Sequence, residues 1–185
     1  MKKFGIIFVG ALIVLLITAA LFLPSEVPVE RSIVIEGKPE AVFAEVQDLH
    51  RWEKWSPWYA KDPNMKLTYS ESPAEGVGAS YSWESESQGS GTMTITKVVS
   101  PRLFEAELDF GGQGTGTAHF WLEPMGENST RVAWGMVAHM GNNPIGKLFG
   151  LRMESMVAPD FEDGLSRLKT VVEEKTGAES EDQKK

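Results

Sequence analysis

Between Lys66 and His139 the chain repeats one pattern six times: a stretch of alternating apolar and polar residues, then a short break of turn-forming composition. The stretches lie at about 66–70, 78–84, 91–99, 103–110, 115–123 and 130–139, and the breaks read SPAEG, ESQGSG, SPR, GGQG and PMGENS. Alternation with a period of two is the mark of a strand with one wet face and one buried face. In 103–110, Phe104, Ala106, Leu108 and Phe110 alternate with Glu105, Glu107 and Asp109. Breaks this short favour antiparallel hairpins over crossover connections. Six such strands in succession demand a cover for their common apolar face.

Helical spacing supplies that cover on both sides of the strand run. VERSIVIEG, 29–37, is a further β-branched strand, and KPEAVFAEVQDLHRW follows with Pro39 suited to a first helical position and Glu40 to the positive end of the dipole. Val42, Val46 and Leu49, with Phe43, form its apolar stripe. After the strands, Ile145, Leu148, Phe149, Met156, Leu165, Leu168 and Val172 return to helical spacing over about 144–174, where Pro159 is expected to kink or split the helix. Strand, helical pair, six strands and long helix make an α+β fold: a twisted antiparallel sheet of about seven strands on one C-terminal helix.

Ahead of all this stands Phe4 to Leu23, FGIIFVGALIVLLITAALFL, twenty residues without a charge. About 20 helical residues cross a bilayer core of about 30 Å. The run exceeds the roughly 7–15 apolar residues of a cleaved signal peptide, the competing reading. Lys2 and Lys3 precede it and Arg31 is the first basic residue beyond it, so the N-terminus is expected in the cytoplasm and the remainder exported, into the periplasm if the source is bacterial. Residues 1–24 are thus read as a membrane anchor, 25–28 as a linker, 29–174 as the domain and 175–185 as a charged disordered tail. PSEVP, from Pro24 to Pro28, reaches only about 17 Å, which holds the domain near the membrane.

Charge narrows the partners. Residues 1–24 hold two lysines and no acid, so beyond them 26 acidic residues face 16 basic ones, a net of −10. Nucleic acid is a poor partner for such a surface. The absence of cysteine removes disulfides, thiolate metal sites and a cysteine nucleophile.

VERSIVIEGKPEAVFAEVQDLHRWEKWSPW, with GVGASYSWES, LDFGGQGTGTAHFWLEP, NPIGKLFG and MVAPDFEDGLSRLK, resembles the START-like (SRPBCC) helix-grip superfamily, specifically its polyketide cyclase/dehydrase and lipid transport group, in a membrane-anchored branch. The resemblance spans roughly 29–172 and implies a deep apolar cavity between the sheet and the C-terminal helix. It is specific for fold and much less so for activity, because this scaffold hosts carriers, cyclases and receptors.

No catalytic residue, metal site or cofactor emerges. His50, His119 and His139 lack metal-motif spacing, no G-x-S-x-G elbow is present, and GGQGTG joins two strands without the Lys-Ser/Thr ending of a phosphate loop. Glu105, Glu107 and Asp109 lie opposite an apolar face. Phe104, Leu108, Phe110, Phe120, Trp134, Met136, Met153 and Met156 are expected to line the space between sheet and helix, as core or as ligand wall. Tyr81 and Trp83 add polar handles. In HRWEKWSPW, Trp52 and Trp55 share a face and plug one end of the grip, with Trp55 and Trp58 expected to touch a ligand. The expected partner is a hydrophobic small molecule (lipid, quinone or polyketide-like), bound or transported at the membrane; a cyclase/dehydratase enzyme and an envelope protein-interaction module are the alternatives.

Overall fold

The computed structural model describes residue 18, residues 21–71 and residues 75–182. Seven strands form one antiparallel sheet: β1 (Glu26–Glu36), β2 (Lys66–Tyr69), β3 (Ser80–Ser85), β4 (Gly89–Val99), β5 (Leu103–Asp109), β6 (Thr115–Pro124) and β7 (Ser129–His139), in the spatial order β1-β7-β6-β5-β4-β3-β2. Between β1 and β2 lie α1 (Pro39–Gln47), a 3₁₀ turn (Leu49–Lys54) and α2 (Pro57–Lys61), and α3 (Pro144–Asp182) follows β7. The six expected hairpin strands are all present, and the expected α+β helix-grip arrangement is the observed one.

Cross-strand register assembles one continuous inner face. Val29, Ile33 and Ile35 of β1 share it with Met136, Val132 and Thr130 of β7. Trp134, Met136 and Val132 face Phe120, Ala118 and Leu122 of β6, which face Phe104 and Ala106 of β5. A register shift between Ile95 and Lys97 of β4 inserts one residue, so that Ile95 and Val98 both stay on this face, opposite Ala106 and Phe104. Tyr81 and Trp83 of β3 continue it beside Met93 and Gly91. Glu105, Glu107 and Asp109 take the outer face, as the alternation requires.

Helices cover this face because their own apolar stripes match it. Val42, Phe43, Val46 and Leu49 are all buried, each worth about 1.5–3 kcal/mol of apolar burial. Pro39 opens α1, and Asp48 caps the following 3₁₀ turn by accepting the His50 N–H. From α3, Ala158, Phe161, Leu165, Leu168 and Val172 point inward. Gly164 sets the depth of contact: a Cβ there would lie 2.5 Å from Trp134 Cζ3 and 2.9 Å from Pro57 Cδ. Only hydrogen fits between this helix, the Trp134 ring and the start of α2.

Four expectations change. The linker is largely absent, since Glu26 already pairs with His139 and the Met140 N–H donates to the Ser25 carbonyl. Pro159 lies inside one helix and does not split it; it is exposed, so the Ser155 carbonyl that loses its partner faces water. That helix runs to Asp182, so 175–182 are helical instead of a disordered tail. Finally, the apolar residues of α3 do not make one stripe. Nine residues separate Met156 from Leu165, half a revolution at 100° per residue, and Ile145, Leu148, Phe149 and Met156 are exposed while Leu165, Leu168 and Val172 are buried. The span Phe4–Leu23 lies outside the described residues except for Thr18 and residues 21–23; no helix among the described residues is long and apolar enough to cross a membrane.

Candidate ligand-binding site

The centre of the inner face is solid. Trp134 stacks on Phe120 at 5.0 Å between centroids and on Phe161 of α3 at 4.4 Å. Trp55 and Trp58 meet its edge at 5.6 and 5.5 Å, and Trp52 lies 4.6 Å from Trp55. Rings at these separations are in contact, so no cavity runs between sheet and helix at this point. Of the residues expected to line a cavity, Trp55, Phe104, Phe120, Trp134 and Met136 are buried members of this core. Met156 departs from the expectation altogether: it is 52% exposed on the far side of α3.

Away from that centre the same face loosens. Trp58, Tyr81, Trp83, Leu108, Phe110, Met140, Met153 and Val157 are half-buried and pack against the core from its side. A row of rings runs along the outlying strands: Tyr69 to Tyr81 at 5.9 Å and Tyr81 to Trp83 at 6.1 Å, both tilted, and Trp83 to Phe110 edge to face at 5.9 Å. Gly91 makes room for the second of these. It sits opposite Trp83 in register, and a Cβ on it would lie 2.4 Å from Trp83 Cζ2, so the indole lies flat across β4.

Polar handles divide along the same line. The Trp52 and Trp55 indole N–H groups donate to the Val46 and Glu45 carbonyls at 2.8 and 3.2 Å. Among the described residues, the Tyr81 hydroxyl and the Trp58 and Trp83 indoles make no hydrogen bond, whereas Tyr69 donates to Glu53 at 2.7 Å. Burial raises the pKa of both tyrosines, Tyr69 with help from Glu53, so both phenols stay protonated well into alkali. A protonated phenol over an apolar floor is a hydrogen-bond donor awaiting an acceptor.

Two residues beyond Trp83 on the same strand face, Ser85 enters a polar groove of about 760 Å³, lined also by Lys61, Asp62, Lys66, Glu84 and Gln113. Its Oγ donates to Asp62 Oδ2 at 2.6 Å. An apolar shelf therefore grades into a charged and hydroxylated recess. Pairing places both at a definite end of the sheet. The register line Glu26, His139, Thr115, Asp109, Thr92, Ser82 and Thr68 crosses all seven strands. Trp83, Ser85 and Phe110 lie at or beyond that line, on the side where the N-terminal segment enters β1.

His119 and His139 stay outside this region, and His50 borders it. His119 contacts Glu30 at 3.1 Å on the outer face, His139 contacts Thr117 at 3.2 Å, and the His50 ring lies 3.9 Å from that of Tyr69. No cluster suited to a metal ion occurs among the described residues. Among the described residues Glu45 is the buried carboxylate, 2% exposed; its Oε1 is engaged by Arg51 at 2.7 Å and by Lys175, while its Oε2 has no partner. Glu45, Met140, Val157 and Gly91 were not singled out from the sequence. Gly91 closes the turn-forming break ESQGSG and opens the stretch 91–99, so its glycine reads as turn chemistry; Met140 and Val157 carried no signal.

Comparison with known proteins accords with this architecture. Norcoclaurine synthase from Thalictrum flavum, in complex with dopamine and hydroxybenzaldehyde, is similar at 11% identity and a TM-score of 0.60, over 84% of this chain and 91% of that one. The di-domain ARO/CYC protein StfQ of the steffimycin biosynthetic pathway gives 11% identity and a TM-score of 0.62, over 82% of this chain and 52% of that one. A Staphylococcus aureus protein of unknown function, SA2116, gives 12% identity and 0.62, over 82% and 96%. At such identities the likeness is one of fold. A search of curated proteins returned no match. Residues 26–173 match the sequence family described as polyketide cyclase / dehydrase and lipid transport, over most of the chain, and the protein belongs to that family.

Proposed function

We propose that the protein binds a hydrophobic small molecule with a polar end, a lipid, quinone or polyketide-like compound, on the Tyr81–Trp83–Phe110 shelf, and does so tethered to a membrane by the apolar segment Phe4–Leu23. The observation that carries the reading is the set of half-buried rings whose polar atoms have no partner among the described residues. Trp58, Leu108 and Met153 extend the apolar contact, Tyr81 donates to an acceptor on the ligand, and the Ser85 groove takes the polar end. Trp55, Phe104, Phe120, Trp134 and Met136 act as a rigid floor beneath it. The family's lipid transport members and the aromatic compounds bound to the norcoclaurine synthase support this ligand class.

With Lys2 and Lys3 in the cytoplasm, the domain stands on the exported face, and β1 begins immediately after the span. The shelf then opens at the end of the sheet nearest the bilayer, so a ligand would cross little water. Native mass spectrometry of detergent-extracted full-length protein tests this: a bound lipid-class molecule is expected, and its mass adduct should disappear in Trp83→Ala. Wild-type protein that carries no adduct, and whose tryptophan fluorescence is indifferent to added lipids and quinones, would sink the reading. The Tyr81 phenol also favours a second one, a cyclase or dehydratase in which it donates to a substrate carbonyl. Turnover of a bound polyketide-like compound that Tyr81→Phe abolishes would distinguish the two.

A further inference from the structure

The N-terminal part of α3 carries apolar residues on its flank and on its outer face. Met153 and Val157 pack against the core from one flank, while Ile145, Leu148, Phe149 and Met156 form the exposed outer face at i, i+3, i+4 and i+11, with Arg152 between them. Ile145 is 74% and Phe149 52% exposed. Further along the same outer face the residues are Asp163, Arg167, Thr170 and Glu174, an ordinary solvated surface. Within α3, exposure of large apolar side chains is thus confined to its N-terminal part, where Leu151 is exposed as well.

That end adjoins the entry of the N-terminal apolar run. The Lys147 ammonium is buried and donates to the Leu21 carbonyl at 3.1 Å, and a Cβ on Gly150 would lie 2.9 Å from Val27 Cγ2. Leu21 and Phe22 are themselves exposed beside it. Residues 140–153 contain Lys147 and Arg152 and no acid, in a chain whose net charge beyond residue 24 is −10. Apolar side chains with the exposed Arg152 among them, on a helix with a polar continuation, match the makeup of a surface that lies in a lipid headgroup layer.

We infer that the Ile145–Leu148–Phe149–Met156 stripe is seated in the phospholipid headgroup region of the membrane that Phe4–Leu23 crosses, fixing the domain's orientation on the bilayer. The inference rests on the anchored reading, because the end of that segment is what brings lipid to the stripe. Docking there turns the line Glu26–His139–Thr115–Asp109 toward the membrane and presents the Trp83–Phe110 shelf to it. A flexible tether without this contact would leave the shelf pointing at random.

The chain lacks cysteine, so single reporters are readily placed. Ile145→Cys, Phe149→Cys and, as the aqueous reference on the same helix face, Arg167→Cys are spin-labelled in the full-length protein reconstituted into vesicles of zwitterionic and anionic phospholipid. Collisional relaxation by oxygen, which partitions into lipid, is compared with that by a water-soluble nickel chelate. The ratio of oxygen to nickel relaxation is expected to be several-fold higher at 145 and 149 than at 167. Equal ratios at all three sites, in protein that floats with the vesicles, would overturn the docked orientation and leave the anchor intact. Labels at 145 and 149 shielded from both reagents would mean that protein covers the stripe, a second copy or residues 4–20, and would equally refute it. Protein that fails to float with the vesicles would refute the anchor together with the inference.

Discussion

The β1-β7-β6 side of the inner face and the β5-β4-β3-β2 side are built from the same alternation but end differently. On the first, α1, the 3₁₀ turn and α3 lie across the strands, Trp134 is sandwiched between Phe120 and Phe161, and the Trp52 and Trp55 indoles find carbonyl partners inside the fold. On the second, beyond the reach of α3, Tyr81, Trp83, Leu108 and Phe110 remain half-buried, and the hydroxyl and indole N–H of the first two find no partner among the described residues. Helix coverage, and not residue type, separates core from candidate site: tryptophans stand on both sides.

Substitutions that treat the halves alike should therefore give opposite patterns. Trp134→Ala empties the closed half and is expected to cost about 3–5 kcal/mol in a denaturant titration. A loss below about 1 kcal/mol would show the centre to be less tightly packed than the ring separations indicate. Glu45→Gln, which strips two cations of a carboxylate that is 2% exposed, is expected to cost about 1–3 kcal/mol. The value falls below that for a fully buried pair because Arg51 and Lys175 are 39% and 46% exposed.

In the open half the effects move from stability to binding. Trp83→Ala should destabilise by about 1.5–2.5 kcal/mol, since only part of the indole leaves the core, yet weaken ligand binding about tenfold or more, measured by titration of the co-purifying lipid class. Equal stability losses at Trp83 and Trp134 would erase the distinction between the halves. Tyr81→Phe should change stability by less than about 0.5 kcal/mol because its hydroxyl has no partner to lose. Its binding should fall about 2- to 10-fold if that hydroxyl donates to the ligand.

Alkaline pH gives the smallest and most specific test. The folded pKa values of Tyr69 and Tyr81 lie above the ordinary 10.0. Above pH 10 the unfolded chain releases protons that the native state retains, so stability, intact below that pH, declines as pH rises toward the folded values. Melts recorded upward from pH 9.5 should show the decline in wild type, and a shallower one in Tyr69→Phe and in Tyr81→Phe.

Legibility in the sequence followed the same division. Strand faces were readable because a period of two leaves only two choices, and Phe104, Leu108, Phe120, Trp134 and Met136 did fall on one side. Helix faces were harder: Met156 and Leu165 both looked inward-facing until their nine-residue separation was traced around α3. The three tryptophans of HRWEKWSPW illustrate the limit. Their clustering marked the grip, but the indole N–H of Trp55 is bonded within the fold while that of Trp58 is not, and only the positions of Glu45 and Trp134 in space account for it. Pro159 shows the converse, a strong local signal overridden because the carbonyl it orphans faces solvent.

Local periodicity and turn chemistry, which act over a few residues, determined the elements, their antiparallel order and the two-faced strands. The tertiary structure decided where α3 stops covering the sheet, which rings are sealed, which polar atoms go unpartnered, and that the open shelf and the apolar start of α3 share one end of the molecule. These depend on contacts between residues as far apart as Arg31 and Glu162 or Lys147 and Leu21. No local pattern encodes them, because burial is settled only when all the layers are in place.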